Sequence, residues 1–66
     1  MSKIYIEYDN EDMGIVEESI NKNGLFLSFD MGGDYVAVDE SNKALIGGLI
    51  VDLLVSGAKI LSIDKK

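Results

Sequence analysis

Residues 41–57 read SNKALIGGLIVDLLVSG, from Ser41 to Gly57, and the fold turns on this stretch. Ser41 is a residue type that caps helix starts, and Gly57 is the residue that closes a helix cheaply in the left-handed conformation. The spacing therefore predicts a helix from about Asn42 to Ser56. At about 100° per residue, Ile46, Leu49, Ile50, Leu53 and Leu54 share one broad face suited to covering a sheet. Further round, Ala44, Gly47, Gly48, Val51 and Val55 make a second apolar face of small and β-branched side chains. Only Gly48, Asp52 and Ser56, with Leu45 among them, remain as a narrow polar sector. An apolar arc of roughly 240° far exceeds the stripe of about 100° that a helix on one sheet needs.

Something must cover the second face. The apolar run from Ala44 stops at Asp52, far short of the roughly 20 residues that cross a bilayer, so no membrane span is expected. The chain's own first helix is one cover. A second copy is the expected one, with Ala44, Gly47, Gly48, Val51 and Val55 as the oligomer interface, because small residues let helix backbones approach closely. Sixty-six residues form one domain, and so short a chain buries too little surface to be more than marginally stable alone. Cysteine is absent, so self-association is the remaining supplement to the core.

The flanking segments place this helix on a sheet. Lys3 to Tyr8 alternates, with Ile4, Ile6 and Tyr8 on one face and Tyr5 and Glu7 on the other, and is expected to be a strand. Leu25 to Asp30 and Tyr35 to Asp39 alternate likewise. Met31-Gly32-Gly33-Asp34 between them is a turn, so the pair is expected to be an antiparallel hairpin. Ala58 to Ile63 is expected to be a last short strand. Residues 9–24 allow two readings. In the favoured one Asp9 or Asn10 caps a helix, Met13, Val16 and Ile20 line one face, and Asn23-Gly24 ends it. In the other, residues 14–21 are a strand turning at Asn23-Gly24. Both give an α+β domain over residues 1–66, a small sheet with an antiparallel hairpin core, covered on one face by the apolar helix. The order is β-α-β-β-α-β or β-β-β-β-α-β.

Composition narrows the chemistry. Histidine is absent and all six basic residues are Lys, which removes imidazole catalysis and guanidinium forks. Twelve acids against six Lys give a net charge of −6. That balance argues against nucleic acid or anionic lipid as a direct partner and for a basic protein surface. Asp9-Asn10-Glu11-Asp12 lacks calcium-loop spacing, since Met13 falls where a ligand belongs. Met31-Gly32-Gly33-Asp34 lacks a nearby cation to hold a phosphate. Gly47-Gly48 lies inside a helical pattern without phosphate-loop spacing. No metal, cofactor or enzymatic activity is expected. The amino terminus shows no secretory signal, which suggests a cytoplasmic protein.

The expected function is a small acidic binding or inhibitor module that self-associates and docks on a basic partner through Glu7, Asp9, Glu11, Asp12, Glu17 and Glu18. The alternative is a sequestering protein that holds a small molecule or nucleotide between subunits. There Tyr5, Phe26 and Tyr35 would stack on the ligand, and Lys43 or Lys59 would offset its charge.

Overall fold

The computed structural model describes residues 2–24 and 29–66. Strand β1 spans Lys3–Tyr8, helix α1 Met13–Lys22, β2 Phe29–Met31, β3 Tyr35–Asp39, helix α2 Lys43–Val55 and β4 Ile60–Lys65. The four strands form one antiparallel sheet in the order β2-β3-β1-β4. Two split β-α-β units interleave in it, β1-α1-β2 straddling β3 and β3-α2-β4 straddling β1. The fold is α+β, in the first of the two expected element orders.

Local chemistry accounts for the element ends. Residues 9–24 form a helix. The Asp9 carboxylate accepts the Glu11 N–H at 3.0 Å, capping a short 3-10 turn, Asn10–Asp12, that feeds α1. Gly24 and Gly57 both adopt positive φ, +72° and +83°, at the two helix exits. The second helix differs at its start: Ser41 lies inside a 3-10 turn, Glu40–Asn42, and no side chain caps α2. The last strand begins two residues later than expected. Ala58 N–H donates to the Leu53 carbonyl at 2.9 Å, so the helix exit holds Ala58 in the core before the chain can extend. The expected hairpin forms with Met31 opposite Val36. Residues 25–28 of its expected first strand lie outside the described residues.

One face of the sheet carries both helices. The core joins Ile6 and Tyr8 of β1, Val36 and Val38 of β3, Val16 and Ile20 of α1, Ile46, Leu49 and Leu53 of α2, and Ala58. Met13, expected on the buried face of α1, is 38% exposed; buried Ser19 joins Val16 and Ile20 instead. Tyr8, on the same face of β1 as Ile6, is part of this core. It is fully buried, and its hydroxyl donates to the Gly32 carbonyl at 3.1 Å, joining the hairpin turn to β1. Burial, with help from Asp34 and Glu17, pushes the Tyr8 phenol above its ordinary pKa.

Helix α2 sits rotated relative to the projection. Its buried stripe is Ile46, Leu49 and Leu53, with Ile50 partly covered. Leu54, expected in the core, is 61% exposed. The cause lies on the opposite flank, where Gly48 and Asp52 turn toward α1. A Cβ built at Gly48 would lie 2.6 Å from Asn23 Oδ1. The Asn23 amide donates to Asp52 Oδ2 at 2.7 Å and to the Ser19 carbonyl at 2.8 Å. Lys22 Nζ stands 3.9 Å from Asp52 Oδ1. Asp52 therefore ties α2 to α1. With that flank turned to α1, Leu54 comes out beyond the sheet-covering stripe.

Candidate functional site: an aromatic and acidic cleft on the open sheet face

Among the described residues, no helix covers the other face of the sheet. Strand parity puts Lys3, Tyr5 and Glu7 of β1 there, with Asp30 of β2, Tyr35, Ala37 and Asp39 of β3, and Ser62 and Asp64 of β4. Tyr5 stands between Ala37 and Asp64, and Glu7 between Tyr35 and Ser62. Tyr5 and Tyr35 are thus diagonal neighbours, close enough for aromatic rings to meet. Their rings stack with centroids 5.9 Å apart and planes at 23°.

The stack depends on the hairpin turn. Gly32 N–H donates to the Tyr35 carbonyl at 2.9 Å, and the Tyr35 ring occupies the space a Cβ at Gly32 would need. A side chain at this position would displace the Tyr35 ring, which packs directly on the Gly32 backbone. At the far side, the Lys66 ammonium lies over the Tyr5 ring, 5.2 Å from its centroid, within cation–π range. Lys66 is held there by reciprocal backbone bonds with Lys3, at 2.7 and 2.8 Å.

Tyr5, Glu7, Asp34, Tyr35, Ser62, Asp64 and Lys66 line a cleft of about 300 Å³. Its charged groups are three carboxylates and one ammonium, a balance of 1 − 3 = −2. Ser62 Oγ donates to Glu7 Oε1 at 3.2 Å, fixing one carboxylate at the wall. Lys3 and Asp30 form an ion pair on the same sheet face, and that carboxylate holds the Lys3 ammonium above its usual pKa. A larger depression of about 460 Å³ is lined by Ser2, Asp39, Glu40, Ser41 and Lys43, with no aromatic ring among the described residues.

The six acids expected to dock a partner are spread over different parts of the molecule. Glu7 lies in the cleft. Asp9 caps the turn into α1, and Asp12 Oδ2 accepts the Lys59 N–H at 2.9 Å, so both serve the fold. Glu11 is exposed at that turn, and Glu17 and Glu18 are exposed on α1, in the layer opposite the cleft. Of the residues expected at an oligomer interface, Ala44, Gly47, Val51 and Val55 are exposed, while Gly48 packs toward Asn23 at the exit of α1. Of the candidate ligand-stacking aromatics, Tyr5 and Tyr35 meet and Phe26 lies outside the described residues. Lys43 lines the other depression.

The alternation of β1 marks Tyr5 and Glu7 as one face. Nothing in it signals that Ser62 and Asp64, some 55 residues later, stand beside them. Among the described residues no group of three or more metal-ligating side chains converges on one point, and no helix is long and apolar enough to cross a membrane. No protein-family model matches the chain, and neither a curated protein nor a solved structure shows significant similarity to it.

Proposed function

We propose that the chain is a small acidic binding module that docks on a basic surface of a partner protein, blocks or regulates it, and self-associates through the outer face of α2. The observation that carries the first part is the state of the acids on α1 and on the turn that feeds it. Glu11, Glu17 and Glu18 are exposed, and none takes part in an ion pair among the described residues. Uncompensated charge of one sign steers encounter with the opposite sign and selects the partner.

Self-association is supported by Val51, Leu54 and Val55, which are 57%, 61% and 81% exposed on one side of α2. A second copy is the occupant proposed, because a domain of this size without disulfides gains the stability that its own core lacks. The test combines two measurements. The partner captured from source cells is titrated against the wild type and against a variant carrying Glu11→Gln, Glu17→Gln and Glu18→Gln. The expected affinity falls with added salt and falls in the variant. Binding unchanged at high ionic strength and in the variant would overturn the reading. Light scattering across a concentration series checks the assembly, with a monomer at every concentration counting against it.

A further inference from the structure

We propose that the cleft over Tyr5 and Tyr35 is a receptor for a guanidinium side chain, an arginine presented by the basic partner, and that Lys66 occupies its place in the free protein. This deepens the acidic-module reading and rests on it, but it assigns a different surface from the α1 carboxylates.

Three observations converge. The first is the stacked tyrosine pair, whose ring faces attract cations and accept planar guanidinium by stacking. The second is the chain's own cation, the Lys66 ammonium already poised over Tyr5 at 5.2 Å. Such a contact shows that the ring face is open to a cation. The third is the rim: Glu7, Asp34 and Asp64 line the same cleft and offer acceptors for the several N–H groups of a guanidinium.

The same facts decide against other ligands. With a balance of −2 among its charged groups, the cleft repels phosphates and carboxylates. A single-stranded nucleic acid would use the tyrosine stack but needs a basic groove for its backbone. The carboxylates do not converge on one point, so they suit a spread, planar cation better than a metal ion. The volume of about 300 Å³ is at the small end of ligand sites and suits one side chain.

The test is an NMR titration of the full chain with three probes: a blocked peptide containing a single arginine, its lysine counterpart, and a short single-stranded oligonucleotide. The expected result is saturable shifts at Tyr5, Glu7, Tyr35, Ser62 and Asp64 with the arginine peptide, weaker ones with the lysine peptide, and none with the oligonucleotide. Lys66→Gln removes the competing cation without touching the core and is expected to tighten the arginine peptide about two- to fivefold, the equivalent of one exposed cation–π contact. Lys59→Gln makes the same charge change outside the cleft and is expected to leave affinity unchanged. Equal tightening in both variants would reduce the effect to net charge and overturn the proposal. So would shifts confined to Glu11, Glu17 and Glu18, an outcome that leaves the acidic-module reading standing. Preference for the oligonucleotide would overturn both.

Discussion

Gly47 and Gly48 are adjacent, chemically identical and central in the same helix, yet alanine at the two positions is expected to shift stability in opposite directions. A Cβ at Gly47 meets nothing within 4 Å, so Gly47→Ala brings only the helix-propensity gain of about 1 kcal/mol. Gly48→Ala brings the same gain but places its methyl 2.6 Å from Asn23 Oδ1. That side-chain amide must swing away, breaking its bonds to the Asp52 carboxylate and the Ser19 carbonyl. At a partly exposed site these are worth about 1.5 and 0.5 kcal/mol, the low ends for charged and neutral hydrogen bonds. The loss of about 2 kcal/mol outweighs the gain of about 1, leaving a net destabilisation of about 1 kcal/mol. For a domain of this size each kcal/mol moves Tm by about 4–8 °C. Thermal unfolding followed by circular dichroism at low protein concentration should show Gly47→Ala melting higher than wild type and Gly48→Ala lower, by about those amounts. An Asn23→Ala background completes the cycle: with the amide gone, Gly48→Ala should regain its stabilising sign. If both glycine variants stabilise equally in the wild-type background, the close approach of α1 and α2 at Gly48 is refuted.

Other consequences are open to direct measurement. Val51→Glu puts a charge on a residue that is 57% exposed and is expected to split the proposed oligomer in light scattering while shifting dilute-monomer stability by less than about 0.5 kcal/mol. Leu49→Ala removes a fully buried side chain and should cost about 2–5 kcal/mol, enough to unfold so small a domain at room temperature by circular dichroism. The Tyr8 phenol is raised above 10.0 by burial. A raised folded-state value means the unfolded chain ionises first, so urea midpoints should hold steady below about pH 10 and fall above it. Tyr8→Phe should flatten part of that alkaline decline, and an unchanged slope would show that Tyr8 is not its source. Gly32→Ala forces a methyl into the space of the Tyr35 ring, and is expected to abolish the arginine-peptide shifts while the backbone spectrum of α2 is preserved.

Much of the architecture was legible locally because a strand repeats every two residues and a helix every 3.6. Ile4, Ile6 and Tyr8 against Tyr5 and Glu7 identified β1 and its two faces, and the 3–4 spacing of Ile46, Leu49 and Leu53 with Gly57 behind them identified α2. The helix reading of residues 9–24 rested on the caps at Asp9 and Gly24, which the structure uses. Ser41 misled because its side chain suits an N-cap, whereas the chain enters α2 through a 3-10 turn. Leu54 misled because a projection shows the angular spread of apolar residues without showing which part of it meets a neighbour.

By itself, then, the sequence determined the element types outside residues 9–24, the α+β class, the acid surplus and the excess of apolar surface on α2. Those properties follow from residue type and short-range periodicity. Tertiary structure alone decided that β4 lies beside β1, bringing Ser62, Asp64 and Lys66 to Tyr5 and Glu7. It also decided that Gly48, not Gly47, faces α1. Pairing between distant strands and the rotation of a helix about its own axis are set by which surfaces meet, and a local pattern specifies a face without specifying the element across from it.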